Sequence, residues 1–402
     1  MNQPPFGFTP NPGPSEGPFD LSNMGAMLQQ LGAMLQRAQS IPVGEVDWAT
    51  VRQAARQAIA TQPDPSVVDA ERARVRAATE LAQLWLDGVT DFPAASLQSA
   101  AWSRSEWLES TFDQWMPLVE PVAKSMQRGV GDPSSLPLPE NVPAELSAML
   151  APMMQMAAQM STVMVAGQVG QALGSLARDA WSASDIGLPL NTDGATALVT
   201  GNTSAWAESL QLDIRDVETY LAVREAASQR LFATTPWLRA RLQDAIAEYA
   251  SGIKVDTDRL RDLMGDLDMS NPMALQEALQ QGNVELPLTP GQAAALTRVE
   301  LLITLIEGWV DHVTTIAIAD RITSAAAIRE ALRRRRAAGG PSEQTFAQLL
   351  GIELRPRKLR EASDFWAALD AAKRDGVWQH PDFLPDFDDL EDPSGFIANA
   401  NT

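Results

Sequence analysis

A chain of 402 residues with 45% hydrophobic and 20% charged residues has apolar material for a sizeable core and is not a disordered polymer. Its formal charge of −20 speaks against nucleic acid or anionic membrane surfaces as general partners. The absence of cysteine excludes disulfides, thiolate metal sites and a cysteine nucleophile, and fits a reducing, cytoplasmic compartment.

Residues 1–20 carry Pro4, Pro5, Pro10, Pro12, Pro14 and Pro18 and are expected to form a disordered leader, without the basic-then-apolar order of a secretory signal. Leu21, Met24, Met27, Leu28, Leu31, Met34 and Leu35 then recur at steps of three and four. That stripe predicts a helix, either docked on its own core or serving as an adaptable Met-rich surface for a protein partner. Further helices are expected at 45–61, 66–87 and 104–128, and a Pro-rich connection at 132–143.

Leu146–Ala177 contains no charged residue, yet Gln155, Gln159, Gln168 and Gln171 interrupt it. A buried helix is therefore expected rather than a membrane span, with Gly167, Gly170 and Gly174 allowing another helix close. Ile186–Leu190 and Ala197–Thr200 are the strand candidates. Helical periodicity returns at 214–232, 236–250, 271–281, 290–319, 323–337 and 356–374. Eleven tryptophans, from Trp48 to Trp378, imply apolar anchors along the whole chain.

Several stretches carry more specific information. Leu221–Phe232 includes Arg224, Glu225 and Ser228 and is followed by Pro236-Trp237-Leu238. Glu307-Gly308-Trp309 lies on a later helix with Asp311 and His312, and Arg333–Arg336 run up to Gly339-Gly340. Leu354–Glu361 and Val377-Trp378-Gln379-His380-Pro381 close the set. Together these resemble a bacterial family of zincin-like metallopeptidases classed as zinc-dependent hydrolases, with the similarity running from about residue 20 to the C-terminus. The resemblance implies a zincin-like catalytic core and a zinc cofactor wherever the family activity is retained.

In metal-competent members the helix reads His-Glu-x-x-His. Two histidines at i and i+4 share a face and hold Zn²⁺, and the glutamate activates the bound water. Here those ligand positions are Arg224 and Ser228, and only Glu225, the general-base position, is kept. A guanidinium cannot ligate a cation, and a serine hydroxyl is a poor zinc ligand. The chain holds two histidines, His312 and His380, and the position after Glu307-Gly308, histidine in some relatives, is Trp309. No bound metal is therefore expected, and Glu225 is either an inherited remnant of the site or an ordinary surface glutamate.

Phasing at 100° per residue puts Glu300, Thr304, Glu307 and Asp311 on one helical face, with Leu302, Ile306, Trp309, Val313 and Ile316 opposite. The acidic face is expected to be solvated, a calcium or magnesium site being the alternative, and His312 at its edge to be structural. Arg333–Arg336 are expected to complement the dipole at a helix end. Residues 321–374 carry a net charge of +6, and residues 375–392 hold seven acids without a Lys or Arg, so the acidic segment is expected to fold back on the basic one. No phosphate loop and no Gly-x-Ser-x-Gly is present.

The expected fold is mainly α, a zincin-like core with additional N-terminal helices and at most a small sheet. Its organisation is a leader at 1–20, an N-terminal helical region at 21–131, the core at 144–374 and an acidic tail at 375–402. The expected function is binding or scaffolding of a protein or peptide on a degenerate metal site. Two alternatives stay open: an active zinc-dependent hydrolase with unidentified ligands, and a helical interaction protein acting through its Met-rich N-terminal helix.

Overall fold

The computed structural model describes residues 45–131, 144–185, 190–252, 288–339 and 358–400, with Gly187, Leu188, Gln344, Thr345, Ala347 and Leu349. The leader, the stripe at 21–35, the connection at 132–143 and the expected helix at 271–281 lie outside these residues. Helices dominate. Helix α1 (Trp48–Ile59) starts on Asp47, whose carboxylate accepts from the Ala49 and Thr50 amides, two donors that a helix start leaves without backbone partners. Helix α2 (Asp69–Leu86) leads to strand β1 (Ser99–Trp102), and α3 (Arg104–Gly131) and the long α4 (Ala144–Asp179) lead to strand β2 (Thr196–Val199).

The two strands pair in parallel, Ser99 opposite Thr196 and Trp102 opposite Val199, and form the small sheet of an otherwise helical fold. Parallel strands need a long crossover, which α3 and α4 supply. The candidate at 197–200 thus overlaps β2, whereas the described residues of 186–190 form no strand. Strand β1 has no counterpart among the expected elements.

Gly170 and Gly174 lie against α1 so closely that a Cβ on either would stand 2.5–2.6 Å from Ala54 or Ala58 Cβ. The third glycine of that spacing, Gly167, faces open space. Helix α5 (Thr200–Leu210) ends on Gln211, and α6 (Ile214–Thr234) then begins on an Asp213 cap. Every α6 residue from Val217 to Leu231 is buried, the state expected of a helix with neighbours on all sides. Thr235-Pro236 breaks the chain into α7 (Pro236–Ser251), with proline at the first helical position, where its missing N–H costs nothing.

Helix α8 (Pro290–Ile318) opens on a capping box formed by Thr289 and Gln292. By length and composition it alone among the described residues could cross a membrane, and most of it is buried within the protein. Helices α9 (Ala325–Ala337), α10 (Leu359–Ala368) and α11 (Ala371–Gly376) follow, then two 3₁₀ turns, α12 (Phe387–Glu391) and α13 (Pro393–Ala400).

One continuous apolar cluster runs from Val46 to Leu390. Its anchors include the fully buried Trp107, Trp115, Trp309, Trp366 and Trp378. Trp366 stacks on Trp378 at 5.4 Å, Phe365 meets Phe396 edge-on, and Lys358 pairs with Glu391 at 2.6 Å. Trp378 and Phe396 are thereby packed on α10.

Candidate functional site: a buried arginine–carboxylate cluster

Helices α6, α8 and α9 bring the singled-out residues together. Arg224, on the wholly buried α6, donates through Nη2 to Glu307 Oε2 of α8 at 2.7 Å, and its Nη1 lies 4.0 Å from Asp311 Oδ1. Arg336 of α9 reaches the same Glu307 Oε2 at 2.8 Å and also the carboxylate and backbone carbonyl of Asp185. One α8 turn on, Asp311 accepts from both arms of Arg329 at 3.2 and 2.6 Å, from Arg333 at 2.7 Å and from the Ser363 hydroxyl at 3.0 Å.

Glu307 is 2% exposed and Asp311 1%, which corrects the expectation of a solvated acidic face. The phasing was right and the environment was not. A carboxylate stripe is buried only where cations and donors offset its desolvation, and α9 supplies them from three positions of one face, Arg329, Arg333 and Arg336. The arginine run therefore does more than cap a helix end: Arg333 and Arg336 point into the site, while Arg334 pairs with Glu330 at 3.4 Å on the exposed side.

Burial opposes ionisation of Asp311, but the Arg329 donor and the charges of Arg224, Arg329 and Arg333 outweigh it, holding the carboxyl down at about 2. Burial pushes the Tyr220 hydroxyl, one turn before Arg224, up to about 12, so it stays protonated. His312 is depressed to about 4, first by burial and then by the Arg374 charge.

Glu225 is buried and held apart from this cluster. Its Oε2 accepts from the Ser184 amide at 3.0 Å and hydroxyl at 2.6 Å, and its Oε1 from Gln229 at 2.7 Å. Burial raises its pKa, and the Ser184, Gln229 and Ser182 hydrogen bonds oppose that rise. The loop carrying Ser184 runs on to Gly187, where a Cβ would stand 3.2 Å from Glu307 Oε1; Gly187 also takes a φ of +73°, so glycine suits both the space and the backbone. Ser228 is buried on the same helix.

Trp309 belongs elsewhere: its ring stacks on Phe92 at 5.4 Å and its Nε1 donates to Asp375 at 3.1 Å, on the face of α8 opposite the carboxylates. It does not fill the space beside Arg224. His380 is exposed and its Nδ1 accepts from the Asp382 amide. Two other singled-out stretches do meet, Trp237 Nε1 donating to the Trp378 carbonyl at 3.2 Å.

The sequence reading did not place Asp185, Ser184, Gln229, Ser363 or Tyr220 in the site. Arg329, Arg333 and Arg336 did carry a signal, their spacing of four and three on one helical face. The others come from loops and helices distant in sequence and had no local mark.

This donor set does not fit zinc. Arg224, at the position that the sequence resemblance gives to the first ligand, is a guanidinium already bound to Glu307, and among the described residues no group of three His, Asp or Glu is arranged to hold a metal.

The family model for zincin-like metallopeptidases matches residues 46–397. Among solved structures, a crystal structure from Chloroflexus aurantiacus, described as a "putative hydrolase with a novel fold", shares the fold with a TM-score of 0.60 and 19% identity over 89% of this chain and 99% of that one. No curated protein matches.

Proposed function

The chain belongs to the zincin-like metallopeptidase family, and we propose that it is a member whose catalytic metal has been replaced by fixed arginine charge, leaving a binding or scaffold role toward a protein or peptide. The observation that carries this reading is the 2.7 Å contact between Arg224, at the first ligand position, and Glu307. A catalytic zinc site takes about three protein ligands and an open position for water. Arg224 and Arg336 instead supply permanent positive charge that needs no ion, and planar donors that suit a carboxylate. Glu225 supports the same reading: with three donors on its oxygens it serves as an acceptor that fixes the Ser184 loop, not as a base poised beside water.

Elemental analysis of the purified full-length chain tests the proposal. It should contain no stoichiometric zinc, and peptidase assays should show nothing sensitive to a chelator. One equivalent of zinc, removed together with a peptidase activity on chelation, would sink the proposal in favour of an active hydrolase.

A further inference from the structure

Away from the buried cluster, helices α1 and α4 form the walls of an apolar groove of about 770 Å³. No Asp, Glu, Lys or Arg lines it, and its polar members include Gln53, Gln57, Gln168 and Gln171. Met164 of the α4 wall is 64% exposed, and Met160, one turn earlier, is 57% exposed. Gly167 beside them leaves open space where another residue would carry a Cβ. Apolar surface gathered in this way marks a place that something else covers. We propose that the occupant is a segment of the same chain, Leu21–Gln36, seated through its apolar stripe.

Three observations select this occupant. The first is charge. In a chain with 20% charged residues, Leu21–Gln36 has none, which matches a groove that has none either. The other long stretches outside the described residues, 132–143, 253–287 and 340–357, carry Glu140, Asp256 and Arg355 among further charges, and would bring them to walls that offer no counter-ion. The second is reach. Val46 is buried and α1 starts at Trp48, so the segment is tethered to the helix that makes one wall. Residues 36–44 can span ~30 Å when extended, whereas α1, with 12 residues, is only about 18 Å long. The third is side-chain chemistry. Met24, Met27 and Met34 share the stripe with Leu21, Leu28 and Leu31, and unbranched methionine fills irregular apolar space well. An apolar helical face laid into an apolar groove is a general mode of recognition. The inference stands apart from the metal question, since no residue of the arginine–carboxylate cluster lines the groove.

The chain has no cysteine, so a single pair of thiols can be introduced and read without background. The full-length chain carrying Met27→Cys and Gln171→Cys, the second an exposed groove position, is treated with a short bismaleimide. Its cross-linking rate is compared with that of Met27→Cys and Glu80→Cys, whose second thiol is exposed on α2. The groove pair should join within one chain about tenfold faster than the α2 pair, because docking raises the local concentration of one thiol near the other. Met164→Asp should then slow the groove reaction about tenfold, since an unpaired carboxylate under an apolar segment is costly. Met164 is exposed, so this substitution should leave the circular dichroism spectrum unchanged. A groove pair no faster than the α2 pair, a cross-link formed only between two chains, or a rate unmoved by Met164→Asp would overturn the assignment.

Discussion

Arg224 Nη2 sits 2.7 Å from Glu307 Oε2, and both side chains are nearly closed to solvent, at 9% and 3% exposure. A pair so buried is costly to halve, because the surviving partner keeps its desolvation penalty and loses its counter-charge. Arg224→Ala should therefore cost about 3–5 kcal/mol, against at most about 1 for an exposed pair. Denaturant titration measures it, and an unchanged midpoint would show that the contact carries no stability.

Glu307→Gln gives a second reading of the same pair. Its effect should not add to that of Arg224→Ala, with an interaction energy of roughly 0.5–3 kcal/mol. Arg336 shares Glu307 Oε2, so Arg336→Ala should also be non-additive with it. Simple additivity in both cycles would mean that the three side chains do not act as one network.

Stability should fall in acid in two windows. His312 has its pKa lowered from 6.5 to about 4 by burial and the Arg374 and Arg329 charges, against the opposing Asp311 and Asp375. The unfolded chain then binds the extra proton first, so this contribution is complete above pH 6.5 and is lost as the pH falls toward 4. His312→Asn should flatten the stability profile in that window. A profile of unchanged slope would show that His312 is not protected from protonation.

Asp311 acts lower down. With its carboxyl at about 2 instead of 3.8, its contribution is complete above pH 3.8 and is lost as the pH falls through 2. Near neutral pH, Asp311→Asn should cost about 3–5 kcal/mol by leaving Arg329 and Arg333 without their shared anion. Thermal melts at pH 7 would measure it, and a loss below about 1 kcal/mol would place these arginines in effective contact with water.

Gly308 is a packing position. A Cβ there would lie 2.5 Å from Ala362 Cβ and 3.0 Å from the Ala362 carbonyl carbon, so α8 and α10 would have to part. Gly308→Ala should cost about 1–3 kcal/mol despite the higher helix propensity of alanine. A stabilised variant would show that the two helices can separate freely.

Taken alone, the sequence determined the bounds of α6, α7 and α8, although the single helix expected at 356–374 is two, Leu359–Ala368 and Ala371–Gly376. Expected helices at 214–232, 236–250 and 290–319 stand against Ile214–Thr234, Pro236–Ser251 and Pro290–Ile318, because Asp213, Thr235-Pro236 and Thr289-Pro290 are local stop and start signals. It also determined that Glu307 and Asp311 share a helical face. Strand β1 was not legible: Ser99–Trp102 is a strand only because β2, far along the chain, pairs with it. The tertiary structure alone decided whether the acidic face meets water or arginine. A carboxylate stripe reads the same in either setting, and its environment is set by which helix packs on it, here α9 with Arg329, Arg333 and Arg336 turned inward. It likewise decided that Glu225 joins the Ser184 loop and not the Glu307 cluster, since adjacent residues of a helix point about 100° apart and different neighbours meet each.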